Sequence, residues 1–204
     1  MDGVTAPATA PGVRVRPART GDVPVVRALV EDYARERILL AKELITLYEA
    51  VQEFVVAEVD DPTAPGGARV VGCGAVHVLW EDLAEVRTLA VDRSVRGAGV
   101  GHRILEALLA RAADLGVTRL FCLTFETRFF AAHGFVEIDG TPVAPDVYAE
   151  MLRSHDEGVA EFLDLARVKP NTLGNTRMLR VTPRARPEEE PSPTPATVPQ
   201  APPR

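Results

Sequence analysis

A chain of 204 residues, 46% hydrophobic and 25% charged, is long enough to fill one α/β core and too short for two independent domains. Its net charge of −6 argues against nucleic acid or an anionic membrane as a partner, although Arg93, Arg96, His102, Arg103 and Arg111 make one local basic patch. No apolar run is long enough to span a bilayer, and Cys73 and Cys122 lie in apolar β-like runs without disulfide spacing, so a reduced, cytoplasmic setting is expected.

In chain order, residues 1–12 form a Pro-containing leader of small residues, expected to be disordered. The folded domain is placed at 13–182. Residues 13–16 alternate as an opening strand. Asp22 is expected to cap a helix with Val25, Val26, Leu29, Val30 and Tyr33 on its inner side, and 38–51 repeat the helical pattern. Strands follow at 53–58, 70–80 and 85–91, the first two joined by a Pro-Gly turn at 61–67. Val100, Ile104, Leu105, Leu108, Leu109 and Ala112 then share one face of a helix over 101–115, closed by Gly116. A strand at 119–124, a short helix at 126–133 ended by Gly134, a polar helical insertion at 146–165 and a last strand at 176–181 complete the domain. From 183 to 204 the chain is Pro-rich with an acidic patch and is expected to be disordered. This order predicts an α/β fold, a mixed central sheet with helices on both faces.

The most informative stretch is 85–101, EVRTLAVDRSVRGAGVG. A strand, a glycine loop and a helix N-terminus in succession form a phosphate site, because bare backbone N–H groups close around an anion. A P-loop is excluded, since His102-Arg103 stands where Lys-Ser/Thr is required. A dinucleotide fingerprint is excluded too, since its third glycine would fall on His102 or Ile104. What remains is Arg96-Gly97-Ala98-Gly99-Val100-Gly101, an R-x-x-G-x-G pattern that resembles the pyrophosphate loop of the GNAT superfamily of acyl-CoA-dependent N-acyltransferases. Phe129-Phe130-Ala131-Ala132-His133-Gly134-Phe135 is similar to the F-Y-x-x-x-G-F helix end of the same superfamily.

Acyl transfer to an amine requires that the ammonium lose a proton and that the thioester carbonyl be polarised. Glu85 suits the first task, usually through a water, because Glu85, Arg87, Leu89 and Val91 alternate onto one face of a regular strand. A strand-end carboxylate paired with Arg87 has the same signature. The resemblance implies that backbone N–H groups near Leu89 meet the carbonyl, while the pantetheine arm of acetyl-CoA runs along Leu89, Ala90 and Val91 like an added strand. It also places Phe130 against the cofactor, where many relatives carry a tyrosine that protonates the leaving thiolate. Phe130 has no proton to give. Thr127, one turn earlier, is the nearest hydroxyl and reads equally as a helix-start residue, with His133 and Tyr148 as remoter alternatives.

Further segments, among them Ile38-Leu39-Leu40-Ala41-Lys42, Leu47-Tyr48-Glu49, Phe125-Glu126-Thr127-Arg128 and residues 169–179, resemble the short, single-domain form of the N-acetylglutamate synthases. That resemblance implies acetylation of the α-amine of L-glutamate or L-glutamine at the first step of arginine synthesis. The resemblance to the short form implies no amino-acid-kinase-like domain of the kind that binds arginine as feedback inhibitor in longer relatives, and so no expectation of arginine control. An acidic amino acid calls for cations, and Lys42, Arg87 and Arg177, with Asn175 as an amide partner, are the candidates. His77, His102, His133 and His155 are scattered without ligand spacing, so no metal is expected. Two alternatives stand beside this reading: a GNAT acting on a protein N-terminus or another small amine, and a non-catalytic acyl-CoA-binding module. Whether two copies form a homodimer is left open.

Overall fold

The computed structural model describes residues 12–168 and 174–182. The expectations for the two tails, and for 169–173, lie outside the described residues. The elements are β1 (Arg14–Pro17), α1 (Val23–Ala34), α2 (Leu44–Glu49), β2 (Phe54–Asp60), β3 (Ala68–Trp80), β4 (Leu83–Val91), α3 (Val100–Asp114), β5 (Arg119–Thr124), α4 (Thr127–Ala131), β6 (Val136–Glu137), α5 (Pro145–Met151), α6 (Glu157–Phe162) and β7 (Thr176–Val181). They build a sheet of order β1-β2-β3-β4-β5-β7-β6. β4 and β5 run parallel, and the other neighbours run antiparallel.

Helices cover both faces. On one, α3 buries Val100, Ile104, Leu105, Leu108 and Ala112, as its 3.6-residue period requires, against Val76 and Val86 of the sheet, and α4 adds Phe130. On the other, Val26, Leu29, Val30 and Tyr33 of α1 and Leu47 of α2 pack on Phe54, Val56, Cys73, Ala75 and Ala90. Farther along that face α5 and α6 cover Leu79, Leu83, Phe121 and Leu179. Gly74 lets α3 approach the sheet. A Cβ there would stand 2.8 Å from Ile104 and 2.9 Å from Leu108. Gly74→Val should cost about 1–3 kcal/mol by overpacking, read as a lower urea midpoint at unchanged slope.

Several local expectations change. Val25 is 41% exposed, one step off the buried stripe of α1. Asp22 does not cap α1 with its side chain; its carboxylate accepts from Arg19 N at 2.7 Å and from the Arg16 guanidinium at 2.7 Å. The helical stretch expected at 38–51 contracts to the two turns of α2, with a 3-10 turn over Val51–Glu53. The helical insertion expected at 146–165 is built of two short helices, α5 and α6.

Two irregularities shape the centre of the sheet. First, β4 and β5 pair only at Leu83↔Arg119, Ala84↔Leu120 and Glu85↔Phe121, although β4 continues to Val91 and β5 to Thr124. Beyond Glu85 the two strands splay into a wedge. Second, Ala75 pairs with Arg87 but Cys73 pairs with Ala90, so Thr88 and Leu89 together oppose Gly74. This is a β-bulge, with Thr88 in the left-handed region at φ 59°. The extra residue reverses the later side chains. Leu89 and Val91 therefore point to the α3 face, while Glu85, Arg87 and Ala90 point to the α1 face. The single alternating face expected for Glu85, Arg87, Leu89 and Val91 does not exist.

Candidate active site

The glycine loop follows β4 directly. Asp92 takes the amide of Ser94 at 2.8 Å and starts a 3-10 turn, after which Gly97 and Gly99 adopt φ 81° and 76°. Only glycine holds these angles without strain, and Gly99 is the residue from which α3 starts. A Cβ on either glycine would meet nothing within 4 Å, so the loop is an open cradle with the first turn of α3 at its floor. Those orphan N–H groups suit a pyrophosphate. Phe129 lines the cradle, 3.5 Å from where a Gly101 Cβ would stand. Phe130 does not. It is 6% exposed and packs edge-on against Phe135 in the core.

The end of β4 is presented to the wedge. Asp92 N donates to Val71 O at 2.8 Å beside the Gly72↔Val91 pair, which leaves the amide and carbonyl of Val91 directed away from β3. Tyr33 Oη donates to that carbonyl at 2.6 Å, and its ring carries the guanidinium groups of Arg93 and Arg96 at 5.4 and 5.8 Å. Tyr33 of α1 thus ties the strand end to the start of the loop.

Glu85 occupies the last paired position before the wedge opens, and it is 4% exposed. Burial pushes its carboxyl up to about 7. Arg87 and Lys42 oppose that shift, and Glu161 and Asp156 reinforce it. Among the described residues its Oε2 has no hydrogen-bond partner. A carboxyl that changes charge near neutrality can take a proton from an ammonium and release it again.

Around Glu85 lies a charge network that sequence reading missed. Arg87 donates to Glu53 Oε2 at 2.9 Å and to Asp156 Oδ2 at 3.2 Å, with Glu85 Oε2 at 3.9 Å. His77 sits between Glu53 (2.8 Å) and Asp156 (3.4 Å). Burial raises Glu53 and Asp156, yet the contacts with His77 and Arg87 outweigh it and hold both below the usual carboxylate range. Glu161, 9% exposed, is raised by burial and by the charge of Glu157. The missing signal was register. His77 pairs with Glu85 across β3 and β4, and Asp156 caps α6 by accepting from Val159 N at 3.1 Å.

The candidate cations separate. Arg87 is surrounded by three carboxylates, those of Glu53, Glu85 and Asp156. Arg177 is also engaged within the fold. It donates to the carbonyls of Glu161 (2.7 Å), Phe162 (2.6 Å) and Gly140 (3.2 Å) over the ring of Phe121, fastening α6 to β7. Lys42, half-buried before α2, lies within electrostatic reach of Glu85 and Glu161. Asn175 is half-buried just before β7, and Thr127 opens α4 at the mouth of the wedge. No group of three or more His, Cys, Asp or Glu among the described residues could hold a metal ion.

A splayed sheet with an open glycine cradle at one end and a buried carboxyl at its fork is an arrangement suited to a transferase that draws an acyl group from a phosphate-bearing donor. The sequence pattern of the acetyltransferase (GNAT) family matches residues 26–138, and the chain belongs to that family, whose acetyl donor is acetyl-CoA. It is 62% identical over 167 residues to an amino-acid acetyltransferase of Mycobacterium tuberculosis, covering 82% of this chain and 93% of that one. The fold superposes with a TM-score of 0.77 and 60% identity on Rv2747 from Mycobacterium tuberculosis, solved in complex with CoA and NLQ, covering 83% of this chain and 99% of that one. A N-acetylglutamate synthase from Neisseria gonorrhoeae, complexed with coenzyme A and L-arginine, gives a TM-score of 0.60 at 25% identity, covering 85% of this chain and 34% of the longer protein.

Proposed function

We propose that this GNAT enzyme is an amino-acid N-acetyltransferase that moves the acetyl group of acetyl-CoA to the α-amine of L-glutamate or L-glutamine, the first step of arginine synthesis. The observation that carries the reaction is Glu85, a buried carboxyl raised to about 7 at the fork of β4 and β5. The identity of the acceptor leans on the likeness to the Mycobacterium tuberculosis amino-acid acetyltransferase.

In this reading the loop Arg96, Gly97, Ala98, Gly99, Val100 and Gly101 holds the pyrophosphate. The pantetheine arm lies along the backbone of Leu89, Ala90 and Val91. Glu85 draws the proton from the acceptor's ammonium through a water, and the freed amine attacks the thioester carbonyl. Backbone N–H groups at the bulge near Leu89 take up the charge that develops on the carbonyl oxygen. Thr127 is the hydroxyl assigned to the leaving thiolate, which needs little help because a thiol of pKa about 8.5 is a fair leaving group. Lys42 receives an acceptor carboxylate, with Asn175 as an amide contact. The buried free thiols Cys73 and Cys122 suit a reducing cytoplasm.

The test is CoA release against a panel of amino acids, peptides and small amines. Turnover of L-glutamate or L-glutamine is expected, and turnover of peptides alone would leave only the family assignment standing. Lys42→Met should raise KM for the amino acid about tenfold or more and leave KM for acetyl-CoA within about twofold.

A further inference from the structure

Gly158 is the second residue of α6, and the base fills the space its missing side chain leaves. A Cβ at that position would stand 2.2 Å from Glu85 Oε2, 3.2 Å from Glu85 Cδ and 3.0 Å from Asp156 Oδ1. Its backbone is not in the left-handed region, so the requirement is for room and not for an unusual angle.

The helix cannot retreat to make room. At its start, Asp156 is held by Val159 N at 3.1 Å and by Arg87 at 3.2 Å. At its end, Arg177 grips the carbonyls of Glu161 and Phe162. Between them Ala160 is fully buried, and Phe162 is fully buried in one cluster with Leu83, Phe121 and Leu179. A side chain at 158 would therefore move the carboxylate rather than the helix.

We propose that Gly158 is a positioning residue for the acyl transfer: the clamped first turn of α6 presses on Glu85, sets the direction of its Oε2 and keeps it dry, a fit that admits no side chain. The inference rests on Glu85 being the base. The charged and titratable groups facing Glu85 are Arg87 on its own strand, His77 on β3, Cys122 on β5, Asp156 and Glu161 from the α6 segment, and Lys42 from the loop before α2. Displacing the carboxylate from this enclosure exposes it to water.

The test is Gly158→Ala in the full chain. We expect kcat to fall about tenfold or more, and the acid limb of kcat/KM to move about one unit toward lower pH, because a hydrated carboxylate ionises more easily. KM for acetyl-CoA should stay within about twofold, since the cradle lies at the other end of the wedge. Adding Glu85→Asp retracts the carboxylate by one methylene, so the double variant should lose less activity than the two single losses multiplied together. An acid limb that stays in place would overturn the inference by reducing Gly158 to ordinary packing, and so would losses that simply multiply in the double variant. If Gly158→Ala does not fold, the double variant decides: recovered folding supports the fit, and continued unfolding overturns it. A silent Glu85→Gln would remove the base reading and this inference together. An inactive Glu85→Gln beside an unmoved limb in Gly158→Ala would remove this inference alone.

Discussion

Glu85→Gln is expected to lower kcat by roughly two orders of magnitude while KM for acetyl-CoA stays near that of the parent enzyme. The substitution keeps the shape of the side chain and removes its capacity to take a proton. Because burial lifts the carboxyl to about 7, the parent enzyme should lose kcat/KM about tenfold per unit as pH falls below that value. The glutamine variant should lack this limb, and its residual rate should climb at high pH, where the amine loses its proton unaided. A kcat/KM that ignores the substitution at every pH would send the base role elsewhere.

The same group leaves a mark on stability. Below the ordinary carboxylate range, Glu85 is protonated in both the folded and the unfolded chain. Between that range and about pH 7 the unfolded chain releases the proton and the folded chain keeps it, so folding becomes less favourable as pH rises. Above about 7 the penalty is constant. Glu85→Gln should therefore stabilise the protein more at pH 8 than at pH 5, a difference that urea titrations at the two values will read. Burying this carboxyl thus costs fold stability at neutral pH.

Gly99→Asp is expected to raise the Kd of acetyl-CoA at least about tenfold, measured by calorimetry on a folded variant. Gly99 has φ 76° with open space around its Cα. Aspartate enters the left-handed region more readily than most residues, so the loop can persist while a negative charge faces the pyrophosphate. Gly99→Asn, equal in size and neutral, separates repulsion from bulk, and its effect should be the smaller. Unchanged affinity in Gly99→Asp would show that the phosphate lies elsewhere.

Much of this was legible from local pattern. The period of α3, the glycine loop and the element order needed only neighbours in sequence, because strand, turn and helix preferences are set within a few residues. Glu85 was legible as a candidate, since it opens a strand that feeds the loop. What the pattern missed depends on residues far apart in the chain. The bulge at Thr88 turns Leu89 and Val91 away from the face of Glu85, and only pairing with Gly74 reveals it. Arg87 and Arg177 look alike as cations in a sequence. Their partners, Glu53 and Asp156 for one and the carbonyls of α6 for the other, are contributed by other elements.

The sequence by itself determined the family of fold, the glycine loop ahead of α3 and the residue types offered to a site, because each rests on short-range spacing. Tertiary structure alone decided how those groups are surrounded. Packing α6 through Gly158 onto Glu85 sets how dry that carboxyl is, and Glu53 and Asp156, brought in by other elements, set the charge around Arg87. Burial and Coulomb energy are properties of distances in space, and no spacing along the chain encodes them.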